Sequence, residues 1–307
     1  MDKSYSDTSK HSCPGTSSRD AGKLDGCKEC PNASQCAQPR QLDPDILFIQ
    51  QRLHDVKAVV AVMSGKGGVG KSTITRNIAE ALSLMSIRTC VLDLDLSGPN
   101  IPKLTGTNDQ VMCEVNSSIR PIRVNEFLSI VSIAYLEESE DQGTVFSSNL
   151  KTGIVKKLLK CCDYKDIEVL LIDTPPNVTD EHLGMVEFIK PRHAILVSTP
   201  QRFSLQDVVR QIGFCRKTGI RIIGVVENMR RFVCASCNHE AEVFNSVDVQ
   251  KYCIECGLEY IGSIGLKQSI AKQSDLGMPV QEEIFRKLAY IIVSTCLESN
   301  QTAKSSS

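Results

Sequence analysis

The stretch Ser64-Gly65-Lys66-Gly67-Gly68-Val69-Gly70-Lys71-Ser72-Thr73 is a complete G-x-x-x-x-G-K-S pattern set between an apolar run and a helical one. Glycines at these places let successive backbone N–H groups curl around phosphate oxygens. A helix starting directly afterwards turns its positive end toward the same charge. Lys71 is placed to reach β- and γ-phosphates and the Ser72 hydroxyl to ligate magnesium, so Gly65 to Thr73 is a candidate nucleotide site. Acidic residues complete the chemistry. Asp93 and Asp95 close one apolar run, and Asp173 closes another, Val169 to Ile172, where a carboxylate would hold magnesium. Read singly, an Asp at a strand end also serves as a helix cap or turn former.

Fourteen cysteines raise a second chemistry, and their spacing sorts them. Cys13, Cys27, Cys30 and Cys36 follow C-x13-C-x2-C-x5-C, and Cys234, Cys237, Cys253 and Cys256 follow C-x2-C-x15-C-x2-C, which is zinc-ribbon spacing. Thiolate ligands alone do not separate tetrahedral zinc from an iron-sulphur cluster. The remaining cysteines, Cys90, Cys113, Cys161, Cys162, Cys215 and Cys296, mostly fall in strand or helix patterns and read as small buried hydrophobes. The first thirty residues lack an apolar signal core, so a reducing cytoplasm is expected, with thiolates and metals favoured over disulfides. No run of about 18 apolar residues suggests a membrane span. With 35 basic against 36 acidic residues the net charge is -1, which offers no general attraction to nucleic acid or anionic lipid.

These groups need elements to hold them. Residues 1–45 carry few large apolar side chains and cannot bury a core unaided, so four thiolates around a metal or cluster would supply their order. Residues 46–298 form the expected main domain. Ala58 to Met63, Cys90 to Leu94, Leu128 to Ile133, Val169 to Ile172, Ala194 to Val197 and Ile222 to Val226 read as buried strands. Ser72 to Met85, Gly153 to Leu159, Ser204 to Cys215 and Ile284 to Leu297 have helical periodicity. Strand-then-helix alternation predicts an α/β fold with a mostly parallel sheet flanked by helices, and ligands at the carboxyl ends of its strands. A cysteine-rich insertion at 231–257 interrupts the rhythm, and 299–307 reads as a loose polar tail.

Lys66, an extra lysine inside the loop, resembles the signature lysine of the deviant-Walker (SIMIBI, MinD-like) P-loop NTPases. Within that class, Asp93-Leu94-Asp95-Leu96-Ser97-Gly98-Pro99-Asn100-Ile101-Pro102 resembles the D-x-D-x-x-G-P-S-x-P of the Mrp/Nbp (NUBP) branch. So do Asp173-Thr174-Pro175-Pro176, Asp180-Glu181-His182-Leu183, Ser198-Thr199-Pro200-Gln201 and Glu227-Asn228-Met229. The N-terminal quartet is similar to that of the longer, cysteine-extended type of cytosolic iron-sulphur assembly scaffold. The resemblance implies an ATPase that assembles 4Fe-4S clusters and passes them to cytosolic and nuclear apoproteins. It works as a face-to-face homodimer or with a shorter paralogue in a heterotetramer, alongside targeting factors. It further implies that Asp95 orients the attacking water, Asp173 holds magnesium, Lys66 compensates charge across the dimer and Asn228 touches the base. One 4Fe-4S cluster would sit on Cys13, Cys27, Cys30 and Cys36, and a second on Cys234 and Cys237 donated by two subunits. The alternative kept beside it is a zinc or cluster site closed within one subunit by Cys253 and Cys256 as well.

The chain departs from that pattern in places. Ala235 stands where the family's C-P-x-C has proline, and Asn177 where it has glycine, in the segment that rearranges around the γ-phosphate, so slower or altered hydrolysis is expected. Leu266-Lys267-Gln268 replaces an L-D-P near the expected base pocket. The rival class of function is a zinc-stabilised ParA/MinD-like positioning switch or adaptor without a cluster role. A positioning switch needs a basic DNA-facing patch or basic amphipathic helix, and Ile284 to Leu297 has only Arg286 and Lys287.

Overall fold

The computed structural model describes residues 23–28, 33, 43–115, 118–136, 148–234, 236–237, 239–244 and 247–298. The chain divides into two compact units, Met1–Pro44 and Asp45–Ser307. In the first, Asp25–Cys27 makes a single 3-10 turn, closed by Cys27 N–H on the Leu24 carbonyl at 2.8 Å. Cys13, Cys30 and Cys36 lie outside the described residues, as does the tail at 299–307.

Helix α1 (Pro44–Arg52) starts at the boundary, and its Ile46 and Ile49 join the core of the second unit. Then follow β1 (Ala58–Ser64), α2 (Lys71–Leu84), β2 (Thr89–Asp93), the short α3 (Ile101–Leu104), the minor hairpin of β3 (Glu114–Val115) and β4 (Ser118–Ile119), β5 (Ile122–Arg123) and β6 (Leu128–Ser132). The second half runs through α4 (Ser148–Cys161), β7 (Val169–Asp173), α5 (Asp180–Gly184), β8 (His193–Ser198), α6 (Arg202–Thr218) and β9 (Arg221–Glu227). A hairpin of β10 (Phe232–Val233) and β11 (Glu240–Ala241), then α7 (Val249–Cys256), β12 (Tyr260–Ser263), α8 (Gln268–Asp275) and α9 (Glu283–Ile292) complete it. No helix among the described residues is long and apolar enough to cross a membrane.

Eight strands form one sheet in the order β12-β9-β8-β1-β7-β2-β6-β5. All neighbours pair parallel except β5 with β6. The six apolar runs read from the sequence are its inner strands. They lack hydrophobic alternation because a central parallel strand is covered on both faces, and β2 and β7 are buried at every position. Helix α2 lies against β1, β2 and β7 and packs on α9, while α6 covers β8, β1 and β9.

The chain leaves β1 toward β2 on one side, and β8 lies on the other, so β1 sits at the reversal of strand order where α/β sheets open a crevice. Register then sets the acids. Asp93 pairs with Asp173 across β2 and β7, and Val62 pairs with Asp173 across β1 and β7. The two carboxylates therefore stand side by side at the carboxyl edge, level with the end of β1.

Residues 231–257, expected as a cysteine-rich insertion, contain the β10–β11 hairpin and α7, so the second cysteine pair is helical. Asp248 caps α7 through its carboxylate on Lys251 N–H at 2.9 Å, and Gly257 ends it at φ 68°.

Candidate nucleotide cleft and thiol hairpin

The loop from Gly65 to Gly70 joins β1 to α2, and a cleft of about 570 Å³ opens over it. Lys66, Lys71, Ser72 and Thr73 line it, with Asp95 and Pro176 from the neighbouring strand ends. Gly70 precedes the helix at φ 85°, a conformation only glycine adopts without strain. A Cβ there would also strike the Asn228 amide nitrogen, which donates to the Val69 carbonyl at 2.8 Å. Asn228 thus braces the loop from the end of β9.

At the floor of the cleft the Asp173 carboxylate, wholly buried, gathers three donors. Lys71 Nζ lies 2.8 Å and Ser72 Oγ 2.6 Å from its Oδ2, and Thr75 Oγ1 lies 2.7 Å from Oδ1. Hard oxygens on Ser72 and Asp173 fit magnesium, which prefers such ligands and keeps several waters. Beside them Asp93 is also wholly buried. Burial and then the Asp173 charge push its carboxyl well above the usual range, though Lys71 opposes the rise. It accepts Asp95 N–H at 3.1 Å and Ser132 O–H at 3.1 Å, which ties the loop after β2 to β6.

Asp95, half-buried, is raised to about 6, first by burial and further by the Asp173 and Glu181 charges, against the pull of Lys71. Glu181, from α5, is buried and pairs with Lys151 at 2.8 Å. Lys66 instead is exposed and donates to Gln201 Oε1 at 3.2 Å. A second, mostly apolar cavity of about 210 Å³ adjoins the cleft through Gly70 and Thr73, lined by Asn228, Met229, Leu266, Lys267 and Ile270.

Asn177 occupies φ 63° and donates its N–H to the Ser64 carbonyl at 3.1 Å. Asn tolerates this left-handed region better than other side chains do, so the substitution for glycine is conformationally accommodated. Asn177→Val is expected to lower stability by about 1–2 kcal/mol, and Asn177→Gly to stay within about 0.5 kcal/mol of the parent, in urea unfolding.

The cysteines of the second group do not converge. Cys234 and Cys237 sit at the β10–β11 turn, where Cys234 N–H donates to the His239 carbonyl at 3.0 Å. The Cys234 thiol is lowered below its ordinary value, chiefly by the Ser236 and Cys237 backbone N–H groups and then by the Cys237 side chain. Cys253 faces the core from α7, and burial raises it to about 11. Among the described residues no group of three or more His, Cys, Asp or Glu is arranged to hold a metal. A site closed within one subunit on Cys234, Cys237, Cys253 and Cys256 would require Cys253 to turn out of the core, where α7 places it here. Of the other cysteines Cys90, Cys162, Cys215 and Cys296 are buried, Cys161 partly so, and Cys113 is exposed, against expectation.

A thiol reacts as its thiolate. At pH 8 iodoacetamide is expected to alkylate Cys234 about 100-fold faster than Cys253, read by peptide mass spectrometry. Equal rates would mean that α7 opens readily.

Sequence reading found Lys66, Lys71, Ser72, Asp95, Asp173 and Asn228, and the structure brings all of them to the cleft or its rim. It missed Thr75, although position i+4 from Lys71 puts it on the same helical face, and it gave Gln201 and Glu181 no role.

Known proteins match this arrangement. A family model described as "ParA: NUBPL iron-transfer P-loop NTPase" matches residues 55–296. A nucleotide-binding protein of Archaeoglobus fulgidus, solved in complex with ADP, superposes at TM-score 0.67 with 29% identity, over 77% of this chain and 92% of that one. MinD in the Aquifex aeolicus MinC:MinD complex superposes at 0.57 with 17% identity, over 77% and 96%, and the cell division ATPase MinD of Pyrococcus furiosus at 0.54 with 19% identity, over 78% and 100%. The last two share the fold.

Proposed function

Because the chain belongs to the NUBPL iron-transfer P-loop NTPase family, we propose that it is an ATP-dependent scaffold that assembles 4Fe-4S clusters and hands them to apoproteins. The observation that carries the reading is one unit holding both parts: a phosphate cleft with its lysine, hydroxyl and carboxylates, and a thiol pair, Cys234 half-buried and Cys237 exposed, on the hairpin that follows Asn228 by a few residues. In this reading Gly65 to Thr73 bind the nucleotide phosphates, with Lys71 against the β- and γ-phosphates. Ser72 and Asp173 hold magnesium, which neutralises charge between the β- and γ-oxygens when bound. Asp95, its carboxyl poised near neutrality, orients the attacking water and takes its proton. Lys66, free to swing from Gln201, compensates charge on a second subunit's phosphates.

A 4Fe-4S cluster takes four cysteine ligands, and the hairpin offers two. Two subunits each giving Cys234 and Cys237 supply the set, whether the second is another copy or a shorter paralogue. Cys13, Cys27, Cys30 and Cys36 are proposed to hold a further cluster, with residues 1–45 as its module and 46–298 as the ATPase domain, in the cytoplasm. The burial of Cys253 favours the hairpin pair alone as ligands over a zinc ribbon that uses all four cysteines.

Iron and acid-labile sulphide analysis, with ultraviolet-visible and EPR spectra after anaerobic reconstitution, tests the reading. Wild type is compared with Cys234→Ala/Cys237→Ala and with Cys27→Ala/Cys30→Ala. Loss of one cluster with each pair supports the scaffold. Zinc in both places, or ATP turnover with no iron bound in any variant, overturns it.

A further inference from the structure

The Asp173 carboxylate is wholly buried and held from two sides. Both donors on its Oδ2, Lys71 Nζ at 2.8 Å and Ser72 Oγ at 2.6 Å, are the groups that a magnesium nucleotide must recruit for itself. When Lys71 turns to phosphate and the Ser72 oxygen to metal, neither contact on Oδ2 is kept as it stands. The contact on its other oxygen does not depend on ligand: Thr75 Oγ1, itself fully buried, lies 2.7 Å from Oδ1. The same hydroxyl is 3.0 Å from the Lys71 carbonyl one helical turn back. It has a single proton, and the charged carboxylate is the stronger and nearer acceptor.

We infer that Thr75 is a positioning residue for magnesium: it fixes the Asp173 carboxylate so that Oδ2 stays aimed into the cleft after Lys71 and Ser72 have moved to the nucleotide. The helix supplies the precision. Lys71, Ser72 and Thr75 all belong to the first turn or so of α2, so the group that aims the acid and the groups that leave it are rigidly spaced. Removing the partner that orients a metal ligand costs metal affinity by about 10- to 100-fold without touching the metal itself. The inference rests on reading the cleft as a nucleotide site.

The test is titration of a fluorescent ADP analogue into the full-length protein, in EDTA and across a magnesium series, for wild type, Thr75→Val and Thr75→Ser. Val keeps the volume and removes the hydroxyl. Its magnesium concentration for half-maximal tightening is expected to rise about 10-fold, while affinity in EDTA stays within about twofold. Ser restores the hydroxyl and is expected to return near wild type, which a role confined to packing would not produce. Equal losses with and without magnesium, or no change in the magnesium midpoint, overturn the inference while leaving the nucleotide site standing. Failure of wild type to bind the analogue at all overturns the reading and the inference with it.

Discussion

Lys71→Ala is expected to remove ATP turnover and to destabilise the fold at once. The proposed role of the ammonium, on β- and γ-phosphate oxygens, is charge stabilisation that nothing else in the cleft replaces, so kcat/KM is expected to fall on the order of 10³-fold. The stability loss has a separate cause. Lys71 is 6% exposed and Asp173 not at all, at 2.8 Å, so the variant leaves a buried carboxylate without its counter-ion. That costs about 3–5 kcal/mol in such sites. The low end is expected here, because Ser72 and Thr75 still donate to Asp173.

The loss also has a pH signature. Lys71 holds the neighbouring Asp93 down against burial and Asp173, so its removal raises Asp93 further. A carboxyl whose folded value lies above its unfolded value, here 3.8, binds more protons folded than unfolded in the window between them, so stability falls as pH rises through it. The variant should therefore lose more stability in total than wild type as pH rises from 3.8 through the folded value of Asp93, in urea unfolding at each pH. Lys71→Met/Asp173→Leu is expected to recover stability and no turnover, since a buried ion pair is replaceable by apolar packing. Wild-type ATPase in Lys71→Ala would sink the nucleotide reading.

Why these residues were legible and others were not follows from the period of the signal. The inner strands announce themselves as unbroken apolar runs because both of their faces are covered, and the loop after β1 because its glycines and lysine sit at fixed backbone positions. Thr75 carries no such mark. A threonine inside a helix is usually unremarkable, and its role comes from the register that brings Asp173 opposite. The cysteine spacing says little about geometry for the opposite reason. Ribbon spacing is a statement about sequence distance alone, and α7 satisfies it while sending Cys253 to the core. The short edge strands β5 and β12 escaped because two to four residues give too little alternation to read. Asn177 showed its exchange for glycine in sequence, but only the backbone at φ 63° shows why asparagine fills the place.

The second large effect is expected at Asp95. Raised to about 6 by burial and by the Asp173 and Glu181 charges, it gains its negative charge only as pH climbs through that value. If it takes the water proton, kcat/KM, which reports the free enzyme, should rise with unit slope below about pH 6 and level off above it. Asp95→Asn keeps the shape and removes the base, and kcat/KM is expected to fall about 10²- to 10⁴-fold at pH 8. Nucleotide affinity should change far less, since the proposed grip on the phosphates is the loop and Lys71. The nucleotide protonates in acid as well, so the variant's own profile decides the assignment. A limb that vanishes in Asp95→Asn belongs to Asp95, and a limb of equal slope that survives belongs to the nucleotide. Glu181→Gln supplies the independent arm. It withdraws one of the charges that raise Asp95, and so should shift the limb to lower pH while leaving the plateau rate near wild type.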